Sequence, residues 1–155
     1  MPSSSVRLSH PPSLSPEILV CSVDAAWSAE TRRCGVGGVF SGNNHLSLPT
    51  LSESRNSVSS ALMAEAIAVR LAVLTAVYSN VRSLAVLSDS LSLITLLKKE
   101  DTQHELFDIM FDIYHALSYF DVISFHFISR TFNGEADIVD KSALALLNVS
   151  SSDVT

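Results

Sequence analysis

With 155 residues, the chain has room for one domain with a full hydrophobic core and not for two of ordinary size. Hydrophobic residues make up 47% and charged residues 17%, a balance that excludes a largely disordered chain. The net charge of −6 argues against a protein that grips nucleic acid mainly through clustered lysines and arginines.

Residues 1–17, MPSSSVRLSHPPSLSPE, are rich in serine and proline and lack the apolar centre of a secretory signal. They read as a disordered tail, with an organelle transit peptide as the alternative because no acid precedes Glu17. EILVCSVDAAW (17–27) alternates and is rich enough in β-branched residues for a strand, with Asp24 near its far end. A polar turn, SAETRR, leads into CGVGGVFSG (34–42), the returning strand of a hairpin that ends at Gly42-Asn43-Asn44. HLSLPTLSE (45–53) predicts a third strand, and Pro49 puts that strand at a sheet edge.

From Ser57 the period becomes helical, with Ser57 or Ser59 as the N-cap and Asn80 as the stop. Its body, ALMAEAIAVRLAVLTAVY (61–78), approaches the length of a membrane span. Glu65 and Arg70 would each cost roughly 2.5–3.5 kcal/mol near a bilayer centre, so the segment reads as a core helix and no membrane partner is expected. Alanines at 61, 64, 66, 68, 72 and 76 let it lie close against a sheet.

SLAVLSD (83–89) is a short apolar run of the kind covered on both faces, placed at the centre of the sheet. SLSLITLLKK (90–99) and TQHELFDIMFDIYHALSYF (102–120) predict two helices, and DVISFHFISR (121–130) a fifth strand. NGEADIVDKSALALLNV (133–149) predicts a closing helix capped by Asn133. The order is βββαβααβα, an α/β domain over residues 18–149, with tails at 1–17 and 150–155. Cys21 and Cys34 stand out of register across the first hairpin and read as free buried thiols. That suits an intracellular protein, nuclear or cytoplasmic, with organelle import left open.

Four acids fall where a bland core would not put them: Asp24 on the first strand, Glu65 inside the apolar helix, Asp89 at the end of the fourth strand, and Asp137 early in the closing helix. A buried unpaired carboxylate is costly, so a group of them is tolerated when cations or hydrogen bonds compensate. Singly, each has an ordinary reading as a turn residue, a solvated helix residue, a helix cap or a first-turn acid. With the first and fourth strands adjacent, all four converge at one edge of the sheet.

Several pieces in this order resemble the ribonuclease H fold, and most closely the RNase H-like domain that accompanies plant retroelement reverse transcriptases. They are DAAW on the first strand, CGVGGVF on the second, AEAIAVRLAV in the long helix, SDS at the end of the fourth strand, and Arg130, Asn133, Ala136, Asp137 and Lys141 toward the end. The resemblance spans about residues 18–147. It implies a mixed five-stranded sheet, its first three strands antiparallel, with helices on both faces. It also implies an endonuclease that hydrolyses the RNA strand of RNA–DNA hybrids with two Mg²⁺ ions, for which Mn²⁺ can substitute.

Asp24, Glu65, Asp89 and Asp137 occupy the family's four acidic positions, with Asp24 expected to bridge both ions. Hard Mg²⁺ prefers such oxygen ligands. Arg130, Asn133 and Ser90 are carried over as nucleic-acid-binding groups. A monomer is expected, with a possible link to a reverse transcriptase in a parent protein. Two Mg²⁺ ions at the four acids would cancel most of the net charge of −6, so the acidity does not exclude a nucleic-acid substrate. Arg32, Arg33 and Arg55 read as solvated surface.

Two departures stand out. The family's histidine ten residues before the last aspartate, a helper in product release or proton movement, is replaced by Phe127, and His126 is one residue off and so points to the opposite face. Slow turnover is the expectation. The usual Leu-Ala-Lys after the last aspartate appears as Val139-Asp140-Lys141, with Asp140 read as solvent-facing and Lys141, about one turn beyond Asp137, as solvent-facing with pairing to that acid as the alternative. The alternatives are a retroelement-derived module that binds nucleic acid or protein without cutting, and a 3′-end exonuclease on the same fold.

Overall fold

The computed structural model describes residues 17–42 and 46–154, the side chains beyond residue 148 excepted. Five strands, β1 (Leu19–Trp27), β2 (Cys34–Ser41), β3 (Leu51–Arg55), β4 (Ser83–Ser88) and β5 (Val122–Phe127), form one sheet in the order β3-β2-β1-β4-β5. β1 pairs antiparallel with β2, and β2 with β3, while β1, β4 and β5 run parallel. Four helices follow in chain order: α1 (Ala61–Tyr78), α2 (Leu91–Lys99), α3 (Phe107–Ala116) and α4 (Gly134–Val154).

The sequence order βββαβααβα is the observed order, and β1 and β4 are neighbours as expected. The central strand is β1, however, and not β4. β4 is nonetheless buried from Leu84 to Ser88, because parallel strands flank it on both sides and helices cover the sheet. An apolar run reports dryness on both faces, and the penultimate strand here is drier than the middle one.

α1 has the length and apolarity of a membrane span, but its Ala64, Ala66, Ala68, Ala72 and Ala76 are buried within the core of this fold. Their small side chains let the helix axis approach β1 and β2. The N-cap is Ser60, whose hydroxyl accepts from the Met63 N–H at 3.0 Å, and not Ser57 or Ser59. Ser57 instead takes φ 59° in the loop before the helix, and Asn80, at φ 59°, provides the left-handed stop after Tyr78.

Other boundaries shift for local reasons. β3 begins after Pro49, which has no N–H to give to a ladder, and it lies at the sheet edge as expected. His45, Asn43 and Asn44 lie outside the described residues. The segment 102–120 is not one helix, since short 3₁₀ turns at His104–Leu106 and Leu117–Tyr119 bracket α3. A further 3₁₀ turn, Arg130–Asn133, precedes α4, and α4 runs to Val154 where a tail from 150 was expected. The tail predicted at 1–17 lies outside the described residues except for Glu17. Cys21 and Cys34 are free and buried, opposite Phe40 and Trp27 respectively.

α4 reaches the sheet through two glycines of β2. A Cβ at Gly35 would collide with the Asp140 carbonyl and the Leu144 N–H, and one at Gly37 would stand 2.9 Å from the Ala136 carbonyl and 2.8 Å from the Val139 Cβ. Only a bare backbone lets the helix come this close. Gly35→Ala is therefore expected to destabilise the domain by at least about 1–3 kcal/mol, the usual cost of overpacking a well-filled interior. A lower urea midpoint at unchanged m would show it.

Candidate active site

The contact permitted by Gly35 and Gly37 brings α4 onto the strand that carries Asp24, which pairs with Gly37 and is only 2% exposed. Glu65, on the second turn of α1, is 9% exposed. Asp89 follows the last residue of β4, where the strand stops and Ser90 begins α2. Asp137 lies in the first turn of α4. The sheet order and the two helices thus bring all four sequence-predicted acids together.

They form two groups that share one member. Asp24, Glu65 and Asp89 each place a carboxylate oxygen within 4.8 Å of the others, and so do Asp24, Asp137 and Asp140. Asp140 is the residue that sequence reasoning missed: it is fully buried, not solvent-facing. Four of the five acids belong to the four-acid pattern, and Asp24 belongs to both groups.

The electrostatics follow from this crowding. Burial pushes the Asp24 carboxyl up to about 9, assisted by the neighbouring Asp140 and Asp89 carboxylates. Burial, then the charges of Asp24 and Asp89, push Glu65 up to about 9. Asp140 is raised to about 6, chiefly by burial. Asp137 moves the other way, below the usual carboxylate range, because the Lys141 ammonium donates to its Oδ2 at 3.0 Å. Lys141 is therefore both exposed and paired with Asp137, the alternative that its spacing offered.

Three residues hold or flank the acids. Asn133, expected to cap α4 and contact nucleic acid, is instead 2% exposed and reaches back into the fold. Its Nδ2 donates to the Val23 carbonyl at 2.8 Å and toward Asp89 Oδ2 at 3.4 Å, which braces the end of β1 against Asp89. Arg130 has a largely exposed side chain with Nε 3.8 Å from Asp89 Oδ2, so it carries a positive charge at the mouth of the site. Ser90 caps α2 by accepting from the Leu93 N–H at 3.4 Å, while its own N–H donates to Ser88 Oγ at 3.0 Å.

Farther out, Arg55 pairs with Glu53 at 2.9 Å. Phe127 stands opposite Ser88 at the end of β5. His126 is half-buried with Nε2 2.8 Å from Ser124 Oγ, and burial, followed by Lys98, lowers its pKa. It is a structural histidine.

A divalent cation fits the donor set. Among the described residues, Asp24 Oδ1, Glu65 Oε1 and both Asp140 oxygens are buried without a hydrogen-bond partner. All the donors are carboxylate oxygens, the ligands hard divalent ions select.

The sequence matches the reverse transcriptase-like family over residues 22–143. The chain belongs to that family. Its fold is RNase H-like, and the solved structures it resembles are of that type. RNase H1 from Halobacterium salinarum matches with a TM-score of 0.73 at 18% identity, covering 82% of this chain and 97% of that one. The N-terminal RNase H domain of a Mycobacterium tuberculosis protein matches at 0.76 and 19% identity, covering 86% and 97%. LC11-RNase H1, solved in complex with an RNA/DNA hybrid, matches at 0.72 and 16% identity, covering 83% and 98%. No curated protein gives a significant sequence match. Within this reverse transcriptase-like domain, Asp140 and Phe127 are the two points where the site departs from the pattern read in the sequence.

Proposed function

We propose that this reverse transcriptase-like domain is a Mg²⁺-dependent endonuclease of the ribonuclease H type that hydrolyses the RNA strand of RNA–DNA hybrids. The observation that carries the reading is the position of Asp24, buried and shared between two three-carboxylate groups whose inner oxygens lack partners. The RNA/DNA hybrid bound by the structurally similar LC11-RNase H1 supports the choice of substrate.

Asp24, Glu65, Asp89 and Asp137 would hold two divalent ions. When bound, such a pair activates the attacking water and stabilises the leaving 3′ oxygen. The chain's own residues supply the rest. Asn133 fixes Asp89 relative to β1, Lys141 keeps Asp137 ionised, and Arg130 offers a cation beside Asp89 for a backbone phosphate. Ser90, at the exposed tip of β4, is placed to meet the same backbone. Phe127 supplies no proton carrier, so product release is slow in this reading.

A parent protein with a reverse transcriptase, of plant retroelement origin, and a nuclear or cytoplasmic setting belong to the same proposal; the two free buried thiols support the setting. A labelled RNA–DNA hybrid incubated with the protein and Mg²⁺ is expected to yield internal RNA cuts that a blocked 3′ end does not prevent. Single-stranded RNA should be cut far less, and EDTA should stop the reaction. An intact hybrid at protein excess, in Mg²⁺ and in Mn²⁺, would overturn the reading.

A further inference from the structure

Asp140 has no packing reason to be an acid. It lies on the stripe of α4 that faces the sheet, between Ala136 and Ala143, which are 0% and 3% exposed. In the family pattern an alanine stands at this place, and an alanine would fill it as its neighbours do. Instead a carboxylate is fully buried there, with neither oxygen in a well-formed hydrogen bond among the described residues, and its polar company is limited to the Asp24 carboxyl and the Lys141 backbone N–H. Lys141, the adjacent residue, turns outward to Asp137 and leaves Asp140 without a cation.

A buried carboxylate in this state costs several kcal/mol unless an opposite charge arrives. The direction from which one can arrive is set by geometry, because oxygens of Asp24, Asp137 and Asp140 lie within 4.8 Å of one another. We propose that Asp140 is a fifth metal ligand, completing with Asp24 and Asp137 a three-carboxylate pocket for one hard divalent cation. The inference rests on the two-metal reading above and extends it. The Asp24, Glu65 and Asp89 group holds one ion, and the pocket containing Asp140 holds the other more tightly than two carboxylates would.

The test uses the full chain without nucleic acid and counts bound Mn²⁺ from the loss of the free-ion EPR signal. The wild-type protein is expected to bind two Mn²⁺ ions. Asp140→Asn should weaken one of them about 10–100-fold and leave the other unchanged, while Asp89→Asn should weaken the other. Asp140→Ala, which restores the family residue and removes a buried charge, should melt in EDTA at or above the wild-type temperature and gain less from Mn²⁺. Two wild-type sites that Asp140→Asn and Asp140→Ala leave within twofold would overturn the role of Asp140 and spare the two-metal reading. No Mn²⁺ bound by the wild-type protein would overturn both. A clear fall in the EDTA melting temperature of Asp140→Ala, with both affinities retained, would make Asp140 a packing residue and also overturn the inference.

Discussion

Asp24→Asn is expected to lower hybrid cleavage by at least about 10²–10³-fold, the scale on which removing one charge-stabilising group acts in other active sites. The substitution keeps shape and hydrogen-bonding size and deletes one negative charge from a residue that belongs to both carboxylate groups. No other acid in the site has that position, so Asp24→Asn should cost more than Glu65→Gln, which touches one group. The loss should fall on kcat and on Mg²⁺ dependence together. The same substitution should raise the melting temperature in EDTA at neutral pH, because the amide is neutral without having to hold the proton that burial and the neighbouring Asp140 and Asp89 force on the Asp24 carboxyl. Opposite signs for activity and metal-free stability separate a ligand from a packing residue. Cleavage within tenfold of wild type would remove Asp24 from the centre of the reaction.

The sequence made these four acids legible because each interrupts an apolar pattern that has its own cause. Glu65 is the one acid in a helix made mostly of alanine and branched aliphatics, and Asp89 ends a strand with no other charge. Local periodicity placed the elements, while the adjacency of β1 and β4 had to be assumed and is what the sheet shows. Asp140 was hidden by its neighbours. Beside Lys141 and three residues after Asp137, it looks like part of a solvated helix face.

The signal that could have exposed Asp140 is its spacing from Ala136 and Ala143, which puts it on the stripe facing Gly35 and Gly37. Asn133 offered no such signal, since Asn before Gly at a helix start reads as a cap, and its actual partner, Val23, is 110 residues away. The serine cluster 57–60 was ambiguous for a related reason. Three hydroxyls within four residues satisfy the same capping preference, and only the backbone path, with Ser57 at positive φ, selects Ser60.

The second large effect is on stability without metal, which should fall as pH rises from 7 to 9 and recover when a divalent ion is added. In the folded protein Asp24 and Glu65 hold their protons up to about 9, against ordinary values of 3.8 and 4.5. Between those limits the native state binds more protons than the unfolded chain, so unfolding becomes easier with each step up in pH. The stabilisation is complete below about 4 and is lost as the pH passes through 9.

Other groups do not reverse that slope. Asp137 is depressed, so its contribution is lost only in acid, and His126, also depressed, adds only a small opposing slope that fades above pH 7 as the unfolded imidazole, near 6.5, loses the last of its proton. The buried thiols of Cys34 and Cys21 stay protonated to about 11 and 12. One proton of difference is worth about 1.4 kcal/mol per pH unit, and a domain of this size moves roughly 2–8 °C per kcal/mol. Melting curves in EDTA should therefore drop by several degrees across the window. A divalent ion competes with protons for the same oxygens, so its stabilising effect should be larger at pH 9 than at pH 7. A metal-free melting temperature that is flat or rising over this range would mean that Asp24 and Glu65 are already ionised in the fold, and that their burial is balanced by something other than a cation.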